Sequence, residues 1–520
     1  MSAALTLTHV SEPELLRLAE EVAFALSPGD TIALEGDLGA GKTTLARALI
    51  RALSDGAISE VPSPTFTLVQ TYETRRFDVA HFDLYRLTDP NELLELGLDL
   101  ALKRGVAIVE WPSRATGLIP EDRITITLSD TGAANRRDIA ISGTGSGSGN
   151  GTSAKRISRL GEIRHFAGAN GWGGADVRFS FLQGDASPRR YARLQKSDGS
   201  RAVLMDAPRQ PDGPPVRDGK PYSQVAHLAE DVRPFVAIAH TLSASGFSSP
   251  QIFAHDLPRG LLLIEDFGDA VFGPEVMRGR DQAALWARGT DTLLALRQHR
   301  PSTTLPLPGG TTYAMHLLDH GTMQMEVELL IDWYWPAAFG TAAPEAVRTT
   351  FLSIWNAVFT RILESPKGWM LRDYHSPNLL ALDGRAPPRD VGIIDFQDAL
   401  IGPEAYDLVS LLQDARVDVA ASLERTLLDR YCHGAAALDT SFDETQFRYT
   451  YAALGAQRNS KILGIFARLA KRDGKRQYLA HVPRIWGYLA RDLAHPDLAP
   501  LKAWYDENLP AAMRSRTLRL

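Results

Sequence analysis

One short stretch near the N-terminus, Gly36-Asp37-Leu38-Gly39-Ala40-Gly41-Lys42-Thr43, limits what this chain can fold into more than any other. It fits the pattern GxxxxGK[ST]. The apolar run Thr31 to Glu35 before it predicts a strand, and Lys42 to Leu53 after it predicts a helix, which is the context the pattern needs. Gly36, Gly39 and Gly41 let backbone N–H groups curl around phosphates at a helix N-terminus. Lys42 then reaches the β and γ phosphates, Thr43 ligates Mg²⁺, and Thr44 follows as a further nucleotide contact. ATP and Mg²⁺ are therefore the expected cofactors.

Around this loop the chain alternates strand and helix. Ser11 and Glu14 form a capping-box pair opening a helix with Leu15, Leu18, Val22 and Leu26 on its apolar face. Phe77 to Leu84, Val106 to Trp111 and Arg123 to Leu128 read as strands, so residues 1–142 predict an α/β P-loop NTPase domain. Gly143 to Ser153, GTGSGSGNGTS, loses every side chain that could bury much apolar area. It predicts a flexible linker over 143–156, with a reach of roughly 20 Å and no fixed angle between its neighbours. Cutting there is expected to give two independent halves.

Three further segments accompany the P-loop: Ser63-Pro64-Thr65-Phe66, His81-Phe82-Asp83-Leu84-Tyr85-Arg86-Leu87, and Val109-Glu110-Trp111-Pro112. Together the four motifs resemble the TsaE family, the ATPase component of the bacterial machinery that installs threonylcarbamoyl on tRNA. The resemblance covers residues 5–142. It implies that Asp83 is a second Mg²⁺-organising carboxylate, that Glu110 orients or activates the attacking water, and that Thr65 lies in a nucleotide-sensing loop. It also implies protein partners from the threonylcarbamoylation complex, with tRNA met only through them. Phe66 and Trp111 are expected to pack in the core, as aromatics at strand ends usually do.

The remainder, residues 157–520, reads as a strand-rich stretch followed by long helices, the order of a bilobal kinase-like α+β domain. Asp373 precedes Asn378 by five positions, the spacing of a kinase catalytic loop, where Asp accepts the substrate hydroxyl proton and Asn holds a metal. Asp395, seventeen positions further on at the end of an apolar strand, is the expected second metal ligand. Leu261 to Ile264 leads into Glu265-Asp266-Phe267-Gly268, where the Glu265 carbonyl and the Phe267 N–H are candidates to grip adenine. Gly184 to Tyr191 is the expected phosphate-covering hairpin. The strand that should carry an ATP-binding lysine reads Ala202-Val203-Leu204-Met205-Asp206, with none, so either Arg189 or Arg190 supplies the charge or the domain binds nucleotide poorly.

These motifs resemble the aminoglycoside phosphotransferase superfamily and, within it, its cell-wall sugar kinases. The narrower likeness rests on Ser187-Pro188-Arg189-Arg190-Tyr191, Val203 to Pro208, Glu265 to Asp269, Arg372 to His375, and Ile394 to Ala399 with Gly402-Pro403 and Tyr406-Asp407. It implies an amino-sugar substrate, phosphorylated on the anomeric hydroxyl of N-acetylmuramate or N-acetylglucosamine during peptidoglycan recycling. In that likeness a methionine at position 205 is ordinary, and Asp407 braces the catalytic loop. Gln397 and Asp398 either face the sugar or serve packing.

A net charge of −6 gives no basic field for sequence-independent nucleic-acid binding, and 44% hydrophobic residues exclude a wholly disordered chain. The single cysteine, Cys432, reads as packing in a reducing compartment. No apolar run reaches membrane-spanning length, so a cytoplasmic enzyme without a membrane partner is expected. Two other readings stay open at this point. The N-terminal domain could act mainly as a nucleotide-gated binding module, and the C-terminal domain could phosphorylate an aminoglycoside, a choline-like amine or a protein.

Overall fold

In a computed structural model of the full chain, the structure describes residues 4–144, 151–182, 189–217, 219–514 and 518. The chain forms two compact units: one holds residues 1–208 with 253–266, the other 209–252 with 267–520. The division does not fall at the glycine run.

The first unit contains two sheets. Its elements in order are β1 (Ala4–Val10), α1 (Glu12–Ala25), β2 (Thr31–Glu35), α2 (Lys42–Leu53), β3 (Val69–Tyr72), β4 (Asp78–Asp83), α3 (Glu92–Glu95), α4 (Leu98–Arg104), β5 (Gly105–Glu110), β6 (Arg123–Asp130) and β7 (Arg137–Thr144). The strands lie in the order β1-β7-β6-β2-β5-β4-β3. β6, β2, β5 and β4 run parallel, and β1, β3 and β7 pair antiparallel at the two sides. Parallel strands are covered on both faces and read as continuous apolar runs, which explains why β5 is buried at every residue. α1 starts as its capping box dictates, with the Ser11 N–H and hydroxyl both donating to Glu14 at 2.7 and 2.6 Å.

The expected linker over 143–156 is corrected at both ends. β7 continues through Gly143 and Thr144, paired with Ile124 and Arg123. A helix, α5 (Thr152–Ala169), begins on the far side, its first N–H groups donating to the Asp122 carboxylate at 2.9 and 3.0 Å. Composition misled because a strand needs only backbone, and Gly143 is required where α5 crosses: a Cβ there would meet Ala154 at 2.5 Å. The centre of the run, 145–150, lies outside the described residues.

The second sheet uses β8 (Arg178–Leu182), β9 (Arg190–Gln195), β10 (Arg201–Asp206) and the strands Leu261–Ile264 and Ile252–Asp256. α5 serves both sheets. Ile157 and Leu160 enter the core of the first, and Ile163 and Phe166 enter the core of the second.

The second unit is helical, centred on the 29-residue helix Glu444–Arg472, with helices Gln282–Leu296, Glu345–Leu363 and Val482–Asp492 in the same unit. Two of its small antiparallel ladders position the site. Lys367–Met370 pairs with Leu400–Pro403, and Leu379–Ala381 pairs with Val391–Ile393. Because Met370 faces Leu400 and Leu379 faces Ile393, the two loops between the ladders, 371–378 and 394–399, lie opposite each other.

Candidate functional sites

The P-loop glycines take the positive φ that the motif requires. Gly36 has φ +138°, and a Cβ there would strike the Leu128 carbonyl oxygen at 2.4 Å; Gly41 has φ +105° and caps α2. Gly39, between them, also has positive φ. Lys42 Nζ donates to the Gly36 and Asp37 carbonyls at 2.7 and 2.8 Å and lies 3.6 Å from the centre of the Trp111 ring. Burial lowers its pKa, a cost that the carboxylates of Glu110 and Asp83 oppose. Thr44, two residues on from Lys42, lines a groove of about 610 Å³ with Arg47 and Arg51.

The two carboxylates are held differently. Glu110, 1% exposed, accepts from Thr43 Oγ1 at 2.8 Å and meets His81 Nε2 at 2.9 Å. Asp83 accepts from Thr65 Oγ1 at 2.8 Å, Ser63 Oγ at 3.3 Å and the Tyr85 N–H at 3.1 Å. The hydroxyl expected to bind Mg²⁺ therefore bonds Glu110, while Asp83 bonds the Ser-Pro-Thr-Phe loop. His81 has no assigned role in the sequence reading. Its only signal there is its place two residues before Asp83 on one strand, which puts both on one face.

The aromatic residues separate. Trp111 takes a left-handed backbone, φ +58°, beneath Lys42 and against Tyr85 at 5.1 Å. Phe66 is 81% exposed, with the Arg86 guanidinium 4.2 Å from its ring centre, so the expectation of a core residue is overturned. It lies on a turn with no strand neighbour to bury it.

In the second unit the opposed loops bring the three expected groups together. Asn378 Nδ2 donates to the Asp373 carbonyl at 3.0 Å and to Asp395 Oδ2 at 3.4 Å, and the Ile394 N–H donates to the Asn378 carbonyl at 3.0 Å. Gln397 Nε2 holds the other Asp395 oxygen at 2.9 Å, and Asp398 accepts from the Ala229 N–H at 2.6 Å. Both uses favour positioning over direct contact with a sugar. Arg372 and Asp395 are non-glycine residues at positive φ, +70° and +59°, strain of the kind that surrounding structure must hold in place.

The holding groups are identifiable. Asp407 accepts from the N–H groups of Leu371 and Arg372 at 2.6 and 2.9 Å. The Arg372 side chain donates to Glu326 at 2.8 Å and to the Ala226 carbonyl at 2.8 Å. Lys461 and Gln457 donate to Glu326 at 2.6 and 2.7 Å. Burial alone would raise the Glu326 carboxyl, but Lys461 and Arg372 hold it down at about 2. His375 is buried against Asn378 and Arg416, its pKa lowered by burial, which keeps the imidazole neutral. No motif points to Glu326, because its partners lie 46 and 135 positions away.

The kinase sheet corrects one assignment. Side chains alternate along β9 and β10, and the register pairs Tyr191 with Met205, Arg193 with Val203, and Arg190 with Asp206. Arg190 thus projects from the face opposite Met205. It pairs with Asp206 at 2.7 Å and stacks over Phe24. It is not placed to replace a lysine at position 205. Arg193 is on the Met205 face and forms a two-point pair with Asp266 at 2.7 and 3.0 Å. Glu265, which follows the strand Leu261–Ile264, is half-buried. Phe267 belongs to the second unit, its ring packed where a Cβ on Gly392 would meet it at 2.8 Å. Of the expected phosphate hairpin, 184–188 lie outside the described residues.

Comparison with known proteins agrees with both halves. Residues 9–139 match the model of the threonylcarbamoyl adenosine biosynthesis protein TsaE, and residues 178–446 match the phosphotransferase enzyme family. An N-acetylmuramate/N-acetylglucosamine kinase of Caulobacter vibrioides is 37% identical over 358 residues, 67% of this chain and 96% of that protein. The corresponding kinase of Pseudomonas aeruginosa is 33% identical, covering 64% of this chain and 89% of that protein. The tRNA threonylcarbamoyladenosine biosynthesis protein TsaE of Rickettsia felis is 41% identical over 118 residues, 23% of this chain and 68% of that protein. With a P-loop ATPase fold in its first part and a kinase fold in the rest, the chain is an ATP-using enzyme that belongs both to the TsaE family and to the phosphotransferase enzyme family.

Proposed function

We propose that the chain carries two activities: ATP hydrolysis in support of tRNA threonylcarbamoyladenosine formation, and ATP-dependent phosphorylation of N-acetylmuramate or N-acetylglucosamine at the anomeric hydroxyl. The observation that carries the second is the meeting of Asp373, Asn378 and Asp395 across two opposed loops, together with the named activity of relatives matched over nearly their whole length. In this reading residues 1–142 are the ATPase and residues 157–520 the kinase. It belongs to the cytoplasm and to peptidoglycan recycling. Among the described residues no helix is long and apolar enough to cross a membrane.

At the kinase site, Asp373 accepts the proton of the sugar hydroxyl as the bond to phosphorus forms. An anomeric hydroxyl is more acidic than an ordinary alcohol, so an aspartate suffices. Asn378, with Nδ2 turned toward Asp373 and Asp395, leaves Oδ1 for a cation, and hard oxygen donors of this kind fit Mg²⁺. Asn378 and Asp395 here, and Thr43 with Glu110 in the P-loop, would hold Mg²⁺, which supplies neutralisation of phosphate charge. Asp83, bonded to Ser63 and Thr65, would report the nucleotide to the loop that displays Phe66. Arg193 joins Arg189 as a candidate cation of the nucleotide face, in place of Arg190. TsaE partners would meet the first domain, and tRNA only through them.

Product chemistry tests the reading. An anomeric phosphate is released by mild acid, whereas a phosphate on the primary hydroxyl survives. An acid-stable product, or an aminoglycoside phosphorylated in preference to either sugar, would retire the substrate and keep the kinase.

A further inference from the structure

The kinase sheet has two faces, and the one turned away from Met205 is closed in part by a residue of the P-loop region. Phe24, on the last turn of α1, is 1% exposed and belongs to the core formed by Phe179, Leu194, Leu204 and Leu263 with Phe166 of α5. Its ring meets Phe179 edge-on at 5.1 Å and Phe181 at 6.0 Å. The contact is not a chance touch of surfaces, because polar groups of α1 are spent on it as well. Arg17 donates to the Val177 carbonyl at 2.8 Å and the Trp172 carbonyl at 3.2 Å. Glu20 accepts from the Phe179 N–H at 2.7 Å, and Glu21 pairs with Arg164 of α5.

The end of α1 adds a second, independent tie. A helix C-terminus carries unpaired carbonyls and a partial negative charge, and α1 has no basic residue of its own in its last turn. Three guanidinium groups from elsewhere fill the role. Arg76 donates to the Ala23 and Leu26 carbonyls at 2.7 and 2.8 Å, Arg156 of α5 to Ala25 at 3.1 Å, and Arg190 of β9 to Phe24 and Ala25 at 3.4 and 3.3 Å. Arg190 is in turn fixed by the fully buried Asp206 of β10, which also holds Arg159 of α5 at 2.6 Å. Kinase strands, the shared helix α5 and the C-terminal end of α1 thus form one polar junction over one apolar core.

We propose that the P-loop region is a built-in structural part of the kinase: α1 closes the back of the β8–β10 sheet, so sugar phosphorylation requires this docking whatever nucleotide the P-loop holds. Only the activity readout rests on the sugar-kinase assignment; the association readout does not.

The test keeps the full chain. A protease recognition sequence is placed between Ser146 and Ser148, the folded protein is cut, and the product is run on a sizing column. The halves are expected to travel together and to keep kinase activity. Phe24→Ala in the same cut protein should weaken their association by about 100-fold or more, the order expected for deleting a buried phenyl ring. β8 and β9 should then lose amide-exchange protection, and the sugar-kinase rate should fall at least about tenfold, while Phe24→Leu should retain most of each. Should Phe24→Ala not fold, Arg164→Glu sets a second carboxylate against Glu21 and should separate the halves in its place. Wild-type halves that part on cutting, or separated halves with unchanged exchange and kinase rate, would overturn the proposal. Exchange is read without any sugar, so a wrong substrate cannot be mistaken for a failed interface.

Discussion

In the P-loop the groups meant for phosphate come from consecutive residues, Gly36 to Thr43, and most are backbone N–H groups. In the kinase loop the side chains of Asn378 and Asp395 meet each other, and Asn378 meets the Asp373 carbonyl, only when two ladders pair. The first construction needs glycines at positive φ and little else. The second needs a scaffold, supplied by Asp407 on the loop backbone and by Glu326, Lys461 and Gln457 on Arg372. A backbone cradle is robust to its surroundings, while a side-chain site inherits the stability of residues far from it.

The comparison is broken most forcefully at Asp373. Asp373→Asn should lower sugar-kinase turnover by about two to four orders of magnitude, the usual contribution of a general base, and leave P-loop ATP hydrolysis unchanged. Separate assays of the two activities on one preparation check this. Loss of both would mean that the sites are not chemically independent.

The scaffold comes next. Glu326→Gln strands Arg372 and Lys461 as buried cations, and breaking a buried pair from one side costs about 3–5 kcal/mol. Chemical denaturation of the second unit should show it, with ATP hydrolysis spared. The pH dependence has a definite sign. The Glu326 carboxyl titrates at about 2 in the folded protein against 4.5 ordinarily, so its stabilisation is present above pH 4.5 and lost as pH falls toward 2. The variant should lose that acid limb. An unchanged acid limb would place the stabilisation elsewhere.

At the P-loop, Lys42→Ala should reduce ATP hydrolysis by about 100- to 1,000-fold, as for deletion of one group aimed at developing charge, with sugar phosphorylation intact. The shared core does not contradict this, because Phe24 and Lys42 lie at different ends of the first sheet's helices. Comparable loss of both activities in a folded variant would show that the junction transmits nucleotide state.

How far these sites were legible follows from the same contrast. The P-loop, its strand Thr31–Glu35 and its helix Lys42–Leu53 can be read to the residue, since sterics and phosphate geometry act over a few positions. The meeting of Asn378 with Asp373 and Asp395 was legible through spacing. Glu326 was not, because buried charge pairs leave no local pattern, and α5 was masked by the glycine run before it, although Ile157, Leu160, Ile163 and Phe166 recur at helical spacing. Arg190 was misassigned for want of a parity argument: a residue one position out of phase with Met205's partner on the next strand faces the other side of the sheet.

That parity gives the smallest and most discriminating prediction. Arg193 shares the Met205 face and Arg190 does not. If charge on that face helps seat ATP where a lysine is missing, Arg193→Met should raise the KM for ATP in sugar phosphorylation by about tenfold, the worth of one charge-assisted hydrogen bond of about 1.4 kcal/mol, with kcat changed less. Arg190→Met should leave that KM nearly alone and instead lower stability, because it takes one of two guanidinium partners from the buried Asp206 and uncaps the Phe24 and Ala25 carbonyls. Steady-state kinetics and thermal melts on the two variants separate the roles. Equal KM effects would mean that Arg190 influences the nucleotide through the sheet; a KM effect at Arg190 alone would return it to the nucleotide site and reverse the face assignment.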